Sequence, residues 1–206
     1  MKQALATMLT LQDAMNARVH PHWYEQDFAW YRALWIECAE LMDHYGYKWW
    51  KAQQPDMPQV HMEVVDIWHF GMSALLVGNR DIPALAVALE AQIRAHAVAD
   101  ADLRTATEAL ARETLISRGF PVGEFLDVMH AAKLTFEELY TTYVGKNVLN
   151  TFRQDNGYQD GSYRKLWQGR EDNEHLHDLL GLLDSTSATF PDDLYAALAR
   201  RYSDAA

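Results

Sequence analysis

Apolar residues recur at intervals of three and four along most of the chain, the period of a helix buried on one side. Leu5, Met8, Leu11 and Met15 form the first such stripe, over residues 3–18, and Pro21 breaks it. A longer helix is expected over about 25–45, with Phe28, Tyr31, Leu34, Trp35, Cys38, Leu41, Met42 and Tyr45 on its buried side. Gly46 is its natural stop, and Pro55 and Pro58 make the stretch from Lys48 to Pro58 a loop. The next helix, over about 59–78, is apolar nearly all round, which predicts a central position in the fold. Pro83 suits the first turn of a fourth helix over about 82–98. A fifth is expected over about 101–117, and a sixth over about 122–144 after the turn at Gly119 and Pro121. Residues 145–163 read as a short helix plus loop, and two weaker helices follow near 172–183 and 191–203. Sustained apolar/polar alternation is absent, and Asn156-Gly157 sits among polar residues rather than between β-branched runs. The pattern therefore predicts an all-α bundle with long inner helices, read as one domain over 1–206.

Composition narrows the class. With 206 residues and 49% apolar content, the chain can bury a core without disulfide staples. Its single cysteine, Cys38, excludes an intramolecular disulfide framework and a cysteine-based zinc cage, and it fits a cytoplasmic location. The N-terminus lacks the apolar run and small-residue cleavage site of a signal peptide, and no uninterrupted apolar stretch matches the width of a bilayer. Eighteen basic against 29 acidic residues give a net charge of −11. That charge argues against sequence-blind binding to nucleic acid or an anionic membrane. It also means that a polyphosphate substrate would need a source of positive charge beyond the protein's own balance.

The location of certain acids supplies one. Glu37 and Glu40 are three apart on the second helix, and Glu63 and Asp66 repeat that spacing on the third. Both pairs lie in strongly apolar surroundings, LWIECAELM and HMEVVDIWHF. Several carboxylates buried together repel one another, a cost proteins accept chiefly when a cation compensates. Four convergent carboxylates without sulfur ligands describe a hard-cation site, most naturally for Mg²⁺, which can bridge protein carboxylates to substrate phosphates. A di-iron bundle needs two Glu-x-x-His motifs and two further Glu. This chain has one, Glu174 to His177, in a polar stretch (REDNEHLH) that reads as solvated, and Asp66 to His69 does not make a second.

The other concentration of chemistry is GKNVLNTFRQDNGYQDGSY at 145–163. Lys146 and Arg153 suit phosphate, and the Asn side chains suit sugar hydroxyls or base edges. A solvated helix with Arg153 paired to a nearby Asp is the alternative. Asn is a poor helix former, however, which favours a functional reason for this density.

Taken together, ECAEL (37–41), the KWWK stretch (48–51), EVVDIWHF (63–70), GKNVLNTFRQDNGY (145–158) and LQDAMN (11–16) resemble the dimeric all-α dUTPase family, relatives of the MazG-type nucleotide pyrophosphohydrolases. The two acid pairs are shared across that superfamily, whereas the KN-x-LN-x-FRQ-x-x-GY run is specific to the dUTPase branch. The resemblance spans about residues 8–166 and leaves 170–206 outside it.

The resemblance implies a dUTP diphosphatase, with water attacking the β-phosphorus to give dUMP and pyrophosphate. Glu37, Glu40, Glu63 and Asp66 would bind Mg²⁺, with Glu37 and Glu40 as the catalytic acids and Glu37 acting on the attacking water. Gln12, Asn16, Trp50 and His69 would lie near the uracil, with Lys48 among the substrate-binding residues. Asn150 would face the deoxyribose, and Lys146, Arg153, Tyr158 and Lys165 the phosphates. dUTP and dUDP are the implied nucleotides, and a homodimer with a shared active site the implied assembly. Read from the residues alone, the same metal chemistry suits dCTP or another nucleotide. A non-catalytic scaffold remains the reading from another class, although few cations lie near the acids, Arg32 and Lys48 being the close ones to the first pair.

Overall fold

A computed structural model describes residues 1–184, 187 and 189–204. Among the described residues there are nine α-helices: α1 (Lys2–Val19), α2 (Trp30–Tyr45), α3 (Met57–Gly78), α4 (Ile82–Ala95), α5 (Leu103–Ser117), α6 (Val122–Ala131), α7 (Phe136–Asp155), α8 (Asp172–Leu180) and α9 (Phe190–Ser203). A two-residue hairpin, β1 (Leu166–Trp167) and β2 (Arg170–Glu171), is the small exception to the all-α class. The chain divides into two compact units, residues 1–139 and 140–206.

In the first unit α3 is the central element. Twelve of its residues are buried, from Val60 to Leu76. By length and composition it could span a bilayer, but 67% of its most apolar window is already covered by protein, as in the core helix of a folded domain. Helix α2 packs along α3 and α5, α1 packs on α3 and α4, and α6 on α4 and α5. The loop between α2 and α3 turns the chain back, and the Asp56 N–H donates to the His44 carbonyl (2.9 Å). Aspartates start three helices: Asp56, Asp81 and Asp102 accept from backbone N–H groups at the heads of α3, α4 and α5.

Three expected elements differ. The second helix starts at Trp30 rather than near 25, because Trp23–Glu25 forms a 3₁₀ turn and Asp27 takes a left-handed backbone (φ 50°). Phe28 therefore lies outside the helix and is 44% exposed rather than on its buried side. The expected helix over 122–144 is two helices. Lys133 takes φ 58°, and Thr135 and Glu138 then close a capping box: Glu138 N–H donates to Thr135 Oγ1 (3.2 Å), and Thr135 N–H to Glu138 Oε2 (2.8 Å). Helix α7 starts there and runs unbroken through Asp155, so most of the residues expected in a short helix plus loop are the second half of a long one.

The second unit is organised around aromatic rings. Phe152 meets Tyr163, Trp167, Tyr195 and Tyr202 edge-on, with centroids 5.4–6.4 Å apart. Helix α8 approaches α7 closely at Gly145, where a Cβ would lie 2.7 Å from Leu180 Cδ2.

Candidate metal and nucleotide site

The facing turns of α2 and α3 bring three acids together. One carboxylate oxygen each from Glu37, Glu63 and Asp66 lies within 4.8 Å of the others. Glu63 is 5% exposed, and Glu37 and Asp66 are half-buried. Burial, together with the negative charges of Asp66, Glu63 and Glu40, pushes the Glu37 carboxyl up to about 9. Mutually repelling oxygen donors with no sulfur among them suit a divalent hard cation. Glu40 stands apart from this group. It is exposed on α2 and acts on Glu37 through its charge. His44, one turn beyond Glu40, comes within 3.5 Å of Glu63 Oε1, a neighbour the sequence reading did not single out.

Cys38 lies between the two α2 glutamates in sequence but is buried, and burial raises its thiol to about 12, so it is an inert core residue. Lys48 lies 3.8 Å from Asp43, and the Arg32 guanidinium sits over the Tyr31 ring.

One turn further along α3, a second constellation is buried among apolar neighbours. Gln12 Oε1 lies 2.7 Å from His69 Nδ1. Gln12 Nε2 donates to Asn16 Oδ1 and Ser73 Oγ (both 3.0 Å), and Asn16 Nδ2 donates to Ser73 Oγ (2.9 Å). Ser73 Oγ–H in turn donates to the His69 carbonyl (3.1 Å). Gln12 and Asn16 share a face of α1, and His69 and Ser73 a face of α3, each pair at i,i+4. Ser73 is fully buried at the centre and was missed. Its signal was the i+4 spacing from His69, which carries no weight until α1 is known to pack there.

The α2–α3 loop presents its aromatic residues to solvent. Trp49 is 90% and Trp50 59% exposed, with Trp50 edge-on to Tyr47 and Trp49. They are not core residues.

Two cations of the second unit, Lys146 and Arg153, lie on α7. Lys146 is 2% exposed, and its Nζ donates to Asn173 Oδ1 (3.1 Å). Arg153 donates Nε and Nη2 to the two oxygens of Asp172 (2.8 Å each), and Nη1 to Asn150 Oδ1 (3.0 Å). Its guanidinium lies 5.9 Å from the half-exposed Tyr158 ring. Lys165 pairs with Glu171 at 3.2 Å. The stretch REDNEHLH is not wholly solvated as expected: Asp172 is 0% and His175 5% exposed. Asp172 escaped notice because its partner lies 19 residues earlier in the chain.

No curated protein matches the chain. A family model described as dUTPase matches residues 4–158, starting and stopping slightly earlier than the resemblance and taking in both the acid cluster and the KN-x-LN-x-FRQ-x-x-GY run. With that match covering well over half of its length, and with three carboxylates close enough that they could hold a divalent cation, the chain belongs to the all-α dUTPase family of dUTP diphosphatase-type hydrolases.

Proposed function

We propose that the protein hydrolyses dUTP to dUMP and pyrophosphate with Mg²⁺, keeping uracil out of DNA and supplying dUMP. The observation that carries this reading is the convergence of Glu37, Glu63 and Asp66 in a chain of the dUTPase family. In this reading those three acids hold Mg²⁺, and Glu40 joins them from its exposed position. Bound there, Mg²⁺ supplies the positive charge that an acidic protein lacks toward phosphate oxygens and acidifies water.

The other roles belong to side chains. Glu37 orients the attacking water and takes its proton. Gln12, Asn16 and His69 read the uracil, with Ser73 as their common hydrogen-bond centre, and Trp50 and Lys48 approach from the α2–α3 loop. Asn150 faces the deoxyribose, and Lys146, Arg153, Tyr158 and Lys165 meet the phosphates. In this reading residues 1–206 act as one functional domain; the family match, over 4–158, runs across the division at residue 139 and supports this for the part it covers. A cytoplasmic homodimer with a shared active site, acting also on dUDP, completes the proposal.

Pyrophosphate release from dUTP, UTP, dCTP and dTTP in Mg²⁺ tests it, with sedimentation run alongside. The proposal expects dUTP to be preferred and the mass to be that of a dimer. Preference for another base overturns the substrate, and an active monomer overturns the shared site.

Metal binding should also release protons. In the metal-free protein the Glu37 carboxyl stays protonated until about pH 9, whereas a ligand must be ionised. Mg²⁺ affinity should therefore rise toward pH 9, by about tenfold per pH unit for each proton released. The metal-free fold has the opposite trend. It holds a proton that the unfolded chain has lost above about 4.5, so its stability should fall as the pH climbs from about 4.5 to about 9. Calorimetric Mg²⁺ titrations at pH 7 and pH 9 check the first trend, and metal-free urea melts the second. Affinity independent of pH would contradict the coupling.

A further inference from the structure

We propose that Asp172, in the segment beyond the family match, is a positioning residue for the phosphate-binding cations: it fixes the plane of the Arg153 guanidinium and, through Asn173 beside it, ties Lys146 to the same group. The inference rests on the reading of Arg153 and Lys146 as phosphate ligands. It extends the substrate site into residues 163–173, to which the family match assigns nothing.

The geometry is that of a two-pronged grip. Both Asp172 oxygens are used by Arg153, each at 2.8 Å, and the side chain is fully buried. Tyr163 Oη donates to Asp172 Oδ2 (2.8 Å), and the Asp172 N–H donates to the Lys165 carbonyl (3.0 Å). Burial alone would raise this carboxyl. The Arg153 fork, the Tyr163 hydroxyl and the Lys146 charge instead hold it below the usual carboxylate range, so it stays an anion. Asn173 Oδ1 accepts from both Lys146 Nζ (3.1 Å) and Arg153 Nη2 (3.4 Å), linking the two cations.

The grip stands at the capped start of a helix. Asp172 and Asn173 are the first residues of α8, whose start is closed by a Glu171–Glu174 capping box. Gly145 of α7 leaves room for the Leu180 side chain of α8, whose Cδ2 would lie 2.7 Å from an added Cβ. A buried ion pair contributes little net stability compared with apolar residues of the same volume, so its use here asks for a second reason. Ordering a long cationic side chain before substrate arrives is such a reason, because affinity is lost when flexible groups must be ordered on binding.

The test uses the full-length protein with Mg²⁺. Asp172→Asn is expected to raise KM for dUTP at least tenfold while kcat changes less than about threefold. Inhibition by deoxyuridine, which has no phosphate, should be unchanged. Arg153→Gln should raise KM similarly, and the double variant should be no worse than Arg153→Gln alone. A wild-type KM in Asp172→Asn beside a raised KM in Arg153→Gln overturns the positioning role and leaves Arg153 as a phosphate ligand. A wild-type KM in Arg153→Gln overturns both. Should Asp172→Asn not fold, Tyr163→Phe loosens the same carboxylate without stranding a charge. A KM raised about threefold at an unchanged melting temperature supports the role, and a lowered melting temperature at wild-type KM makes the pair structural only.

Discussion

Glu63→Gln is expected to cut dUTP hydrolysis by about 10²–10³-fold and to leave the metal-free protein at least as stable as wild type. Glu63 is the most deeply buried of the three converging acids, and its charge is one of those that raise the Glu37 carboxyl. Gln keeps the shape and removes the charge. The site then loses an anionic ligand, and loss of a few kcal/mol of transition-state stabilisation is worth that range of rate. In the absence of metal the same change relieves like-charge repulsion, so the fold gains where the activity fails. Pyrophosphate release, with melting curves with and without Mg²⁺, checks both halves. Wild type should melt higher in Mg²⁺, and Glu63→Gln should show little of that shift. Near wild-type turnover would sink the metal assignment. Turnover lost together with a large drop in metal-free stability would mean that Glu63 serves the fold instead.

Gln12→Met is expected to destabilise the protein by about 2–4 kcal/mol and to reduce discrimination between dUTP and dCTP by tenfold or more. Gln12 joins His69, Asn16 and Ser73, all buried, and Met fills a similar volume without replacing any of those hydrogen bonds. Each buried polar group that loses its partner costs about 1–3 kcal/mol, with partial recovery where neighbours rearrange. In the proposed function the same groups define which base edge is accepted, so selectivity should fall with stability. Urea melts give the first quantity, and kcat/KM for the two nucleotides gives the second. A destabilised variant with intact selectivity would place this network in the core rather than against the base.

The acid pairs and the all-α class were legible because both are local. A carboxylate three residues from another on a helix stays on its face whatever the helix packs against, and a buried helix shows its apolar surface in its composition. The break between α6 and α7 was written in Thr135 and Glu138, but no Gly or Pro marks it, and the apolar period runs on through it. Glu37 and Glu40 looked equivalent from spacing. Only the packing of α2 on α3 set Glu37 among the acids and left Glu40 exposed. The resemblance implies Trp50 near the uracil, and the loop leaves both Trp50 and Trp49 open to solvent.

By itself, then, the sequence determined the all-α class and which helix faces carry acid, amide and cation. Periodicity and capping act over a few residues, and a single chain displays them. Tertiary structure decided which faces meet: Ser73 with Gln12, His44 with Glu63, Asp172 with Arg153. Each is a contact between groups distant in the chain or on different turns. Its energy depends on a separation of a few ångströms that spacing along a helix does not encode.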